Sequence, residues 1–78
     1  MSTQKLSNIS LALFRYFLQK AGCECQRSRG GHEYWHRPGL TRPITLQTHI
    51  DPVPEFIVKN ALRALDISRE QFFSLINN

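Results

Sequence analysis

Residues 29–39 read RGGHEYWHRPG, and the glycine pair near its start decides how the chain is organised. Arg29, Gly30 and Gly31 read as a tight turn, because glycine enters the left-handed backbone region without steric cost. The flanking runs then become two antiparallel strands: CECQR at 23–27 before the turn, and HEYWHR at 32–37 after it, ended by Pro38 and Gly39. Alternation along the second run sets His32, Tyr34 and His36 on the face opposite Glu33, Trp35 and Arg37. ITLQT at 44–48, following Pro43, supplies a third strand with Ile44 and Leu46 on one face.

Helical periodicity takes over on both sides of this core. Leu13, Phe14, Phe17, Leu18 and Ala21 recur at three- and four-residue steps, Ser10 is suited to cap their helix, and Gly22 stops it. Beyond HIDPVPEF, a second helix is expected from about Pro54 to Leu65, burying Ile57, Val58, Ala61, Leu62 and Leu65. Ser68 and Gln71 have the spacing of a capping box and start a short third helix that carries Phe72, Phe73, Leu75 and Ile76. The chain thus reads as one α+β domain over residues 1–78, with the order α-β-β-β-α and an added C-terminal helix. In such an arrangement the helices gather on one face of an antiparallel sheet and leave the other free to meet a ligand.

Composition bounds the possible functions. A chain of 78 residues has room for one hydrophobic core, and an apolar fraction of 41% with five Phe and one Trp is enough to build it. No apolar run approaches the roughly 20 residues of a membrane span, and the start lacks the pattern of a signal peptide, so a cytoplasmic protein is expected. The net charge of +4 is concentrated in residues 15–42, where Arg15, Lys20, Arg27, Arg29, Arg37 and Arg42 face only Glu24 and Glu33. That segment implies either a solvated basic face or a polyanionic partner, since neutralising phosphates supplies most nonspecific nucleic-acid affinity. Cys23 and Cys25 are too few to be a disulfide framework, and at i and i+2 on a strand their Cβ atoms lie too far apart to be bridged, so two reduced, half-buried thiols are expected.

Gly22, Arg27, Gly30 and His32 form a G-x4-R-x2-G-x-H run behind an amphipathic helix, continued by Tyr34, Trp35, Pro38 and ITLQTH. With the closing helix and Ile67-Ser68, this order of features, over about residues 10–70, resembles the HicA family of small toxins. The resemblance implies a double-stranded-RNA-binding-like α-β-β-β-α fold and a type II toxin-antitoxin system. It also implies an mRNA interferase, an endoribonuclease that cuts mRNA and inhibits translation, held in check by a HicB-like antitoxin. The family's catalytic histidine falls on His32 and its supporting basic residue on Arg27. The family usually carries Ser or Thr between glycine and histidine, where this chain has Gly31.

The residue types suit that chemistry. RNA cleavage without a metal uses the RNA's own 2′-hydroxyl as nucleophile, and histidine, with an unperturbed pKa of about 6.5, is suited to moving protons near neutrality. Arg27, with Lys20 and Arg29 as further cations, can steady charge on phosphoryl oxygens, while Gly30 and Gly31 let backbone approach a phosphate and leave His32 uncovered. Without the resemblance, His32 reads first as an ordinary strand residue beside a turn. His36 shares that face and could assist, but reads first as a solvated histidine, and His49 reads as a loop anchor or an RNA contact. Tyr34 and Trp35 have the ring type that stacks on unpaired bases, but the parity of Trp35 assigns it to the core. Phe72 and Phe73 belong to the core or to a partner contact. A zinc site is not expected, because C-x-C followed by H-x3-H is not a structural zinc spacing, and no cofactor is implied. An acidic partner would suit the basic chain. The alternatives are a noncatalytic RNA-binding domain of the same fold, or a module that meets only protein.

Overall fold

A computed structural model describes residues 5–77. Six elements follow in the order α1 (Leu11–Lys20), β1 (Glu24–Arg29), β2 (His32–His36), β3 (Ile44–Gln47), α2 (Glu55–Leu65) and α3 (Arg69–Ile76). The strands form one antiparallel sheet in the order β1-β2-β3.

Local chemistry sets the ends of the helices. The Ser10 hydroxyl accepts from Leu13 N at 3.0 Å, and Asp51, from the loop ahead of α2, accepts from Leu11 N at 3.0 Å, so two orphan amides of α1 are satisfied. The capping box at α3 is complete, with Gln71 N donating to Ser68 Oγ and Ser68 N donating to Gln71 Oε1. α2 begins after Pro54 and ends at Asp66, whose φ of 57° closes the helix in the left-handed region.

The core lies between the helices and one face of the sheet. Phe14, Phe17 and Leu18 from α1, Val58, Ala61, Leu62 and Leu65 from α2, and Phe72 from α3 join Trp35, Ile44 and Leu46 from the sheet in one buried cluster. Phe17 and Phe72 meet edge to face at 4.6 Å and fasten α1 to α3. Leu13, Ala21 and Ile57, expected within the buried stripes, are only partly buried at the margin of this cluster. Among the described residues no polar or charged residue is buried, and no helix is long and apolar enough to cross a membrane.

Two features of the hairpin depart from the expected bounds. Arg29 is the last residue of β1 and pairs with His32, so the turn is Gly30-Gly31 alone, with φ of 58° and 81° as a type I′ turn requires. β1 also contains a bulge: Cys25 pairs with Trp35 and Arg27 with Tyr34, leaving Gln26 as an extra residue between them. The cysteines are unlike each other rather than both half-buried. Cys23 precedes the strand and is buried, which pushes its thiol pKa up, whereas Cys25 is exposed on the edge strand; both are free thiols.

Candidate functional site

The register of the sheet sorts every strand side chain onto one of two faces. Glu33, Trp35, Ile44 and Leu46 share the face that meets the helices. The other face carries His32, Tyr34 and His36 in a row along β2, with Arg29 beside His32, Arg27 beside Tyr34 and Glu24 beside His36 on β1, and with Gln47 and Thr45 on β3. None of the open-face residues is buried.

Arg27 is on this face only because of the bulge. With unbroken alternation it would stand opposite Glu33 and point at the helices; the extra Gln26 turns it over, and Arg29 with it. Its guanidinium lies 5.8 Å from the Tyr34 ring centre, and the His32 ring stacks against the same tyrosine at 6.4 Å with planes 26° apart. His32, Tyr34 and Arg27 therefore form a continuous cationic and aromatic strip.

At the hairpin end, Gly31 is tied to the segment after β3. Thr48 donates to Gly31 O from both its backbone N, at 2.8 Å, and its hydroxyl, at 3.1 Å. A Cβ at Gly31 would lie 3.7 Å from His49 Nδ1 and 3.9 Å from Thr48 Oγ1. The side-chain hydroxyl beside Gly31 is therefore that of Thr48, from the segment after β3.

The remaining cations of the basic segment are elsewhere. Lys20 ends α1 in the helical layer, its ammonium 5.8 Å from the Tyr16 ring, and does not join the strip. Arg15 makes a two-point contact with Glu33, at 3.0 and 2.9 Å, and Trp35 Nε1 donates to the same carboxylate at 3.1 Å. The Arg15 hydrogen bonds, with a smaller share from Trp35, hold the Glu33 carboxyl below its ordinary pKa against the opposing effect of burial. Arg37 donates to Ala21 O at 2.7 Å and Leu65 O at 3.1 Å, the carbonyl ends of α1 and α2. Arg42 lines a groove between the segment before β3 and α2. Charge counting along the chain does not reveal these separate destinations, because each depends on a distant partner.

At the far end of the row, Gln26, Arg27, Tyr34, His36, Thr41 and Pro43 enclose an open recess of about 490 Å³. The His36 Nδ1 is sealed from solvent without a hydrogen-bond partner. Among the described residues no group of three or more His, Cys, Asp or Glu side chains is placed to hold a metal ion. Comparison with protein-family models, with curated proteins and with solved structures found no match.

Proposed function

We propose that this chain is a HicA-like toxin: a cytoplasmic, metal-independent endoribonuclease that cuts mRNA and is silenced by an acidic HicB-like antitoxin. The observation that carries the reading is the shared open face, where a histidine, two arginines and a tyrosine lie in register beside a glycine turn. Single-stranded RNA suits such a face, since aromatic rings stack on unpaired bases and arginines bind the backbone.

In the proposed reaction the RNA 2′-oxygen attacks the adjacent phosphorus and the bond to the 5′-oxygen breaks. His32 accepts the 2′-hydroxyl proton, and the departing 5′-oxygen takes a proton from water. The products are a 2′,3′-cyclic phosphate and a free 5′-hydroxyl. Arg29, across from His32, and Arg27 steady the charge that grows on the phosphoryl oxygens.

A second reading, a noncatalytic RNA binder on the same face, is favoured by one feature: the His32 ring has Tyr34 as its neighbour, and among the described strand residues no carboxylate shares the open face except Glu24, beside His36 at the other end. A general base is often oriented by such a group. One experiment separates the two readings. Purified protein should cut single-stranded RNA in excess EDTA, leaving cyclic-phosphate ends, and His32→Ala should lower the rate by about 10²–10⁴-fold while its circular dichroism is unchanged. Cleavage that persists in His32→Ala, or that chelator stops, overturns the mechanism; binding without product in both proteins supports the noncatalytic reading.

A further inference from the structure

The recess at the end of the histidine row is separate from the proposed site of proton transfer. His36 stands four residues beyond His32 on the same strand face, roughly 13 Å along an extended strand, with Tyr34 between them. The recess is lined by one aromatic residue, Tyr34, with Arg27 over its ring, by the polar residues Gln26, Thr41 and His36, and by Pro43 on the side toward β3. Each polar wall group is of a type that reads the edge of a base, and the aromatic wall is of the type on which a base stacks. An opening of about 490 Å³ admits a flat heterocycle of purine or pyrimidine size.

His36 offers the recess one ring nitrogen. Its Nδ1 is sealed and unpartnered, so the ring nitrogen left to meet a ligand is Nε2. Gln26 adds a donor and an acceptor side by side, the pair that engages an adenine edge in two bonds. It owes its position to the bulge, as the one residue of β1 without a cross-strand partner between two paired neighbours.

We infer that this recess is a base-recognition subsite: it takes one unpaired nucleobase of the RNA whose backbone runs past Arg27 toward His32, and so sets sequence preference. The inference rests on the RNA reading above, but not on cleavage. The test uses the full chain with His32→Ala, which keeps the RNA intact, and measures binding of four short homopolymeric RNAs, one for each base. The four affinities should differ by tenfold or more, with adenine foremost. Adding His36→Phe, which keeps a ring of similar breadth and removes the ring nitrogens, should compress the spread to within about threefold, while circular dichroism shows the fold intact. Gln26→Ala should lower the adenine affinity most. Four equal affinities in the parent, or an unchanged order after His36→Phe, would overturn the subsite even if the wild-type protein cuts RNA. A preference that exists and collapses sustains it even if the wild-type protein cuts nothing. Failure of the parent to bind any of the RNAs overturns both the subsite and the RNA reading.

Discussion

Arg37 shows why a basic residue in a basic segment need not meet a phosphate. Its guanidinium donates to the terminal carbonyls of two helices, Ala21 O and Leu65 O, where both the orphan acceptors and the negative ends of the helix dipoles favour a cation. Arg37→Ala should therefore cost about 2–3 kcal/mol in a urea melt, the scale of hydrogen bonds to a charged donor, and leave RNA affinity nearly unchanged. A loss below about 0.5 kcal/mol would mean that water replaces the guanidinium without penalty. Glu33 makes a pH-dependent contribution of the same structural kind. Its folded pKa is depressed, chiefly by Arg15, so the stabilisation is full above the unfolded carboxyl pKa and is lost as pH falls through the lower folded value. Glu33→Gln should destabilise the protein by about 1–2 kcal/mol at neutral pH, allowing for the partial exposure of Arg15, and the two proteins should converge in stability as pH falls below the ordinary carboxylate range and through the depressed folded pKa. A constant difference across that range would place the loss in packing and not in charge.

The hairpin is where element-scale geometry becomes a site. Gly30 and Gly31 have positive φ, and asparagine is tolerated in such turns while most residues are not, so Gly30→Asn should be close to neutral. Gly31→Ser should cost about 1 kcal/mol, since a Cβ there meets only ordinary contacts and the expense is the φ of 81° itself. Denaturation midpoints of the two variants check both statements, and a Gly31→Ser protein as stable as its parent would show that the turn relaxes. Such local features were legible in the sequence: the glycine turn, the Ser10 cap, and the Ser68 and Gln71 capping box all depend on neighbours within a few residues. The parity of β2 was legible too, because Trp35 must face a core. What stayed hidden was the bulge. ECQRSR has no apolar side, so alternation within β1 carries no information about which residues point inward, and only pairing with β2 shows that Gln26 is extra and Arg27 turns outward. Charge alone groups Lys20 with the arginines, whereas the helix places it in the other layer.

For the molecule as a whole, the redistribution of the basic segment limits how electrostatics can act. Of its six cations only Arg27 and Arg29 stand on the open sheet face; Arg15 is paired with Glu33 and Arg37 is spent on helix ends. A single-stranded RNA held by two phosphate contacts should show a slope of log affinity against log salt of roughly −1.4, falling to about −0.7 in Arg27→Ala, since each contact contributes about 0.7. Lys59→Ala, which removes an ion pair with Glu55 on α2, should leave that slope alone. The same two arginines bear on control. A protein that silences the proposed nuclease must exclude RNA from His32, and the simplest geometry covers the uncovered face of the sheet with an acidic surface that competes for Arg27 and Arg29. Its association rate should fall as salt rises, and the Arg27→Ala, Arg29→Ala double variant should bind it at least tenfold more slowly at low salt. Stopped-flow association with and without a short RNA distinguishes the routes. Competition between partner and RNA, lost together in the double variant, places both on the open face; a complex that still binds and cuts RNA shows that the partner sits on another surface.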